Sequence, residues 1–178
     1  MKLAVIYYPG YNEAELAIIV DTLTKANSDF KLFSLGKDYS KHKVLVKGDY
    51  NSLDDYDESF EGMVFPGGVQ NVESLVKDLK LRKLIQEEFT KGKLIAAICA
   101  APMVLGEAGI LKNLKYSVYP GFEKKTYGEL LDQPIVLSSN VLTGRSVYYT
   151  HDFCLAIINY LENTFLKEAI EGAIKGIE

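Results

Sequence analysis

Short apolar runs that alternate with segments of helical period constrain this chain more than any other feature of its sequence. KLAVIYY, beginning at Lys2, reads as a strand, and Glu13 to Ala26 repeats its apolar residues at helical spacing with Asn12 placed to cap it. FKLFSL and KVLV read as a second and a third strand, and GMVFP continues the series. Leu75 to Thr90 has helical period, KLIAAI is a short strand of the buried kind, and Ala100 to Ala108 reads as a helix stopped near Gly109. PIVLSS and VLTGR follow as two short strands with a turn around Asn140, then a long helix from Thr150 to about Glu162 and a more polar helical tail. Parallel strands need crossovers, and helices supply them. The pattern therefore predicts an α/β fold, a mostly parallel central sheet with helices on both faces, in three layers.

The 178 residues, 48% hydrophobic and 25% charged, suffice to bury one core, and no linker, repeat or low-complexity segment divides them, so a single domain over 1–178 is expected. A net charge of −4 leaves no basic excess to neutralise phosphates, which argues against nucleic acid or an anionic membrane as partner. MKLAVIYYPG is too short for a signal segment and no run reaches about 18 apolar residues, so a cytoplasmic protein is expected. Two cysteines and two histidines, none in paired spacing, give no metal site, and neither a cofactor nor a disulfide is expected. Cys154, inside the helix-period stretch FCLAIINYL, reads as a small core residue.

Cys99 is different. In open α/β sheets ligands collect beyond the carboxyl ends of strands, and Cys99 stands where KLIAAI gives way to a helix. The free N–H groups of that helix would favour its thiolate, Pro102 fits a first helical turn, and Ala97, Ala100 and Ala101 are small enough for a sharp bend. Spacing alone leaves a presented thiol and an inert buried one equally open. Glu15 is open too, because Asn12 to Glu15 has the spacing of a capping box. The two glycines of PGG suit a pocket wall or an ordinary turn.

FEGMVFPGG, GKLIAAICAAP, the acidic loop YPGYNEAEL and the closing VLTGRSVYYTHDFCLAIINYL together resemble the DJ-1/ThiJ/PfpI superfamily over nearly the whole chain. The resemblance implies a flavodoxin-like sandwich, a homodimer, and a reactive cysteine on a nucleophile elbow beside a glutamate. Cys99 matches the thiol and Glu15 the glutamate, and the backbone N–H groups of Gly68 and Ala100 match an oxyanion pocket. Two departures narrow the function. Ala100 follows the thiol where the protease branch has histidine, which disfavours a protease. Val118-Tyr119-Pro120 stands where the DJ-1 branch has Thr-His-Pro, and a tyrosine phenol, ordinarily near pKa ~10, is a poor base.

His151, beside Asp152, is a possible replacement base, although neighbours on a helix do not face each other and Thr150 and Asp152 are explained by capping and dipole. His42, in SKHK, reads as a solvated loop residue, and Tyr148-Tyr149 as pocket lining, dimer contact or core. Two functions follow from the resemblance: a thiol enzyme acting on small reactive carbonyl or acyl compounds, glyoxalase- or deglycase-like, or a non-enzymatic oxidative-stress sensor or chaperone-like protein whose Cys99 meets an oxidant. The partners implied are a small-molecule substrate or oxidant and a second copy of the chain.

Overall fold

The computed structural model describes residues 1–177 and joins the apolar runs into one six-stranded sheet. β1 (Lys2–Tyr7), β2 (Asp29–Ser34), β3 (Gly62–Phe65) and β4 (Leu94–Ile98) are parallel, as is the last strand, β8 (Val141–Gly144); β7 (Ile135–Ser138) pairs antiparallel on the far edge of β8. The order is β2-β1-β3-β4-β8-β7. Helices α1 (Glu13–Lys25), α2 (Val69–Lys77), α3 (Leu79–Thr90), α4 (Pro102–Glu107), α5 (Thr150–Leu161) and α6 (Thr164–Lys175) supply the covering layers.

Strand alternation sorts the core into two halves. Ala4, Ile6, Met63, Phe65, Ile95 and Ala97 face one way, against Val72, Leu75, Leu81, Ile85 and Leu105 of α2, α3 and α4. Leu3, Val5, Val64, Leu94, Ala96 and Ile98 face the other, against Leu16, Ile19, Phe153 and Ile157 of α1 and α5. Because both faces are covered, the central strands read as unbroken apolar runs. The chain moves from β1 to one side for β2 and to the other for β3, so the loops after β1 and β3 diverge and leave a crevice at the carboxyl ends of the strands.

The sequence reading departs from the structure in four places. KVLV is not a strand: Asp49 and Tyr50 take the outer edge of β2 through hydrogen bonds with Leu32 and Ser34, and Val44 and Leu45 lie exposed in a strap between Gly36 and Asp49. The helical run ending at Thr90 begins at Val69 and breaks at Asp78, whose side chain accepts the Leu81 N–H and starts α3 as an N-cap. α4 begins at Pro102 rather than Ala100. A short parallel pair, β5 (Lys115–Tyr116) with β6 (Glu129–Leu130), has too few residues to show a period.

Candidate active site

Cys99 leaves β4 in a left-handed backbone conformation, φ +62°, which costs a side-chain-bearing residue of order 1–3 kcal/mol and persists only where its surroundings impose it. Here the surroundings are two hydrogen bonds. Cys99 N–H donates to Gly144 O (2.9 Å) at the end of β8, and Cys99 O accepts from Tyr119 N–H (2.8 Å). Ala100 and Ala101, both buried, let the chain turn tightly into α4.

Glu15 lies in the first turn of α1 and is fully buried. Asn12 caps that helix by accepting from Ala14 and Glu15 N–H, while its own N–H donates to Gly67 O (2.9 Å). The donor that a capping box would offer Glu15 is therefore taken, and the carboxyl turns inward instead. Oε2 accepts from Gly67 N–H at 2.7 Å. A side chain on Gly67 would place its Cβ 2.7 Å from both Cys99 Cβ and Glu15 Oε2, so this glycine is what lets thiol and carboxyl meet. Sequence reading missed its role, although PGG marked the place.

Burial pushes the Glu15 carboxyl above its ordinary range, opposed by hydrogen bonds from Gly67 N–H and the Cys99 thiol. Burial, together with the charge and hydrogen bonding of Glu15, pushes the Cys99 thiol up to about 12; the Ala100 N–H pulls the other way. This corrects the expectation that the helix would favour thiolate. α4 has six residues and starts three positions on, so one N–H opposes a desolvated site and a neighbouring carboxylate. Both groups are thus pushed toward their neutral forms, and the Cys99 sulfur keeps its proton. Glu15 Oε1 is buried with no hydrogen-bond partner among the described residues, an open position for that proton.

Gly68 has φ +101°, and a Cβ there would collide with the Gly10 carbonyl oxygen and lie 2.6 Å from Asn12 N. Its N–H meets no protein acceptor among the described residues, and that of Ala100 meets only the Cys99 sulfur. Asn71, fully buried, ties the crevice together: Nδ2 donates to Pro66 O (2.8 Å) and Gly67 O (3.0 Å), and Oδ1 accepts from Tyr8 N–H (2.7 Å). Sequence reading did not single it out. The available signal is an amide one position before Val72 and one turn before Leu75, on the apolar face of a helix that follows PGG.

The accessory candidates divide. Tyr119 is fixed to the elbow through its backbone, but the residue is 46% exposed and its ring packs edge-on to Phe122. The side chain of His151, second residue of α5, makes no hydrogen bond among the described residues, to Cys99 or to any other group. Thr150 does not cap α5; it lies inside the first turn, donating to Val147 O, because a tight 3-10 turn at Val147–Tyr149 leads into the helix. Tyr148 is 84% exposed and so is not core. Cys154 is fully buried against α1. His42 is not a solvated loop residue: its side chain is only 7% exposed, stacked on Tyr11 with ring centres 3.9 Å apart. No cluster of three or more His, Cys, Asp or Glu able to hold a metal occurs among the described residues.

The sequence model of the DJ-1/PfpI family matches residues 1–160. The chain belongs to the DJ-1/PfpI family. Among its relatives, an uncharacterized protein of Methanocaldococcus jannaschii is 36% identical over 110 residues, 59% of this chain and 54% of that protein's length. Protein dj-1beta of Drosophila melanogaster is 28% identical across 97% of this chain and 94% of its own, and a protein named deglycase PfpI from Pyrococcus furiosus is 27% identical across 82% and 90%. The crystal structure of the Drosophila DJ-1beta superposes with a TM-score of 0.89 at 24% identity, covering 99% of this chain and 98% of that one, and shares the α/β sandwich. DJ-1 family proteins are commonly dimeric. No helix among the described residues is long and apolar enough to cross a membrane.

Proposed function

We propose that this DJ-1/PfpI family member is a cysteine-dependent enzyme acting on small reactive carbonyl or acyl compounds, with glyoxalase- or deglycase-like chemistry. The observation that carries this reading is the pairing at the crevice floor: a strained, half-buried Cys99 against a fully buried Glu15 carboxyl. For a 2-oxoaldehyde, the Cys99 sulfur adds to the aldehyde carbon as Glu15 takes the thiol proton, and the Gly68 and Ala100 N–H groups hold the oxyanion. Glu15 returns that proton to the oxygen, giving a hemithioacetal. It then moves the proton from the aldehyde carbon to the neighbouring carbonyl carbon, while the hydroxyl proton passes to the former ketone oxygen, forming a 2-hydroxy thioester. Water releases the 2-hydroxy acid and restores the thiol, so methylglyoxal plus water becomes lactate. Relatives named deglycase in Pyrococcus furiosus and Pyrococcus horikoshii support the substrate class. The same reading takes the chain as one domain working as a cytoplasmic homodimer.

Glu15→Gln tests the pair. The charge on Glu15 raises the thiol, so its removal lowers the Cys99 pKa, by about two units for a like charge at contact. That gives a hundredfold more thiolate, offset to roughly a tenfold faster alkylation at pH 8 because a less basic thiolate is a weaker nucleophile. Alkylation of Cys99 followed by mass spectrometry reads it; an unchanged rate-against-pH curve removes Glu15 from the mechanism.

A second reading, an oxidative-stress sensor or chaperone-like protein, is favoured by Tyr119 standing in the histidine's place and by the absence of a His151 bond to the thiol among the described residues. Mild peroxide is then expected to add one oxygen at Cys99 as sulfenic acid, with water as the other product, before Cys154 reacts. Oxidation of Cys154 first rejects it.

A further inference from the structure

We propose that His42 is a positioning residue for the Cys99–Glu15 pair, holding the loop between β1 and α1 against the Gly67-Gly68 turn. The inference rests on the proposed roles of Cys99 and Glu15. The strap that carries His42 has no helix or strand of its own, and it is pinned over the loop by aromatic side chains. Tyr11 Oη donates to Val44 O (2.8 Å) and accepts from Val46 N–H (3.3 Å), and Tyr7 Oη donates to Val46 O (3.2 Å). His42 lies flat on the Tyr11 ring, 9° from coplanar.

The imidazole bonds at both ends. Nε2 accepts from Gly10 N–H at 2.8 Å, which requires an unprotonated Nε2. Nδ1 sits 3.1 Å from Glu13 Oε1, so its proton belongs on Nδ1, donated to that carboxylate. Glu13 Oε1 also accepts from Lys43 N–H (2.7 Å), closing the strap onto the start of α1. Glu13, Asp38 and Lys41 are the charged side chains that line, with His42, a cavity of about 280 Å³.

From Gly10 the connection to the thiol is short. The Gly10 carbonyl and the Asn12 amide pack directly on Gly68, leaving no room for a Cβ, and Asn12 N–H donates to Gly67 O. Gly67 N–H is the donor that fixes Glu15 Oε2. An unanchored Gly10 loosens that contact, and the carboxyl then sits less firmly on the sulfur. Loss of the His42 acceptor should therefore act in the same direction as loss of the Glu15 charge, only more weakly.

The test compares Cys99 alkylation at pH 8 in the full chain with His42→Phe, which keeps the stack on Tyr11 and removes the acceptor, and His42→Gln, whose amide oxygen restores an acceptor near the Nε2 position. His42→Phe is expected to quicken alkylation about threefold, between wild type and Glu15→Gln, and His42→Gln to return it to the wild-type rate. In the double variant His42→Phe with Glu15→Gln, the rate is expected to equal that of Glu15→Gln alone, since His42 acts through the carboxyl. A His42→Phe rate equal to wild type, or a change that adds fully to that of Glu15→Gln, overturns the proposal. If Glu15→Gln itself changes nothing, the proposed function fails with it; if Glu15→Gln acts and His42→Phe does not, only the positioning role fails. Should His42→Phe not fold, the wild-type chain supplies its own readout: the 15N spectrum of the imidazole is expected to show the proton on Nδ1, and a proton on Nε2 overturns the proposal.

Discussion

Cys99→Ala is expected to abolish lactate formation from methylglyoxal, by at least about a thousandfold, because no other nucleophile stands at the crevice floor among the described residues and the covalent step is lost outright. The measurement is lactate production by purified protein, with Cys154→Ala as companion. Cys154 is sealed in the core, so its replacement should leave turnover in place. Turnover that survives in Cys99→Ala removes the mechanism. If Cys154→Ala is equally inactive and still folded, the thiol has been assigned to the wrong cysteine.

Gly68→Ala is expected to be the most damaging single methyl in the molecule. The new Cβ meets the Gly10 carbonyl and the Asn12 amide, both backbone and unable to rotate aside, and φ +101° is itself unfavourable for alanine. Backbone strain of roughly 1–3 kcal/mol and overpacking of a similar size add to about 2–6 kcal/mol. For a domain of this length the middle of that range is a fall in Tm of about 10 °C. Gly92→Ala is the control: its φ is +79°, but nothing lies within 4 Å of the added methyl, so only the backbone cost remains. Thermal denaturation of the two variants should separate them clearly, and equal melting temperatures would remove the cradle around Gly68 from the argument.

What could be read from the sequence follows from where each residue's partners lie. β1, β3 and β4 were legible because both faces are buried and the apolar run is continuous. KVLV carries the same composition, but whether it joins a sheet depends on who reaches the edge of β2 first, and Asp49-Tyr50 does. The position of Cys99 at a strand end was legible. Glu15 was not separable from a cap until Asn12 N–H was seen bonded to Gly67, 55 residues away in sequence. The surroundings of Gly67, Asn71 and His42 likewise come from remote partners: His42 meets Gly10 across 32 residues, and Asn71 meets Tyr8 across 63. The direction of the thiol's ionisation was misjudged for a related reason. Desolvation is a property of the closed crevice, and no local spacing announces it.

The amide of Asn71 stitches the exits of two diverging strands together. A wall built this way does not need a bound molecule to take its shape, and it leaves little freedom to adapt to one. Under the proposed function, discrimination between large and small substrates is expected on the opposite bank, where the backbone of the half-exposed Tyr119 grips the elbow and its ring rests edge-on against Phe122.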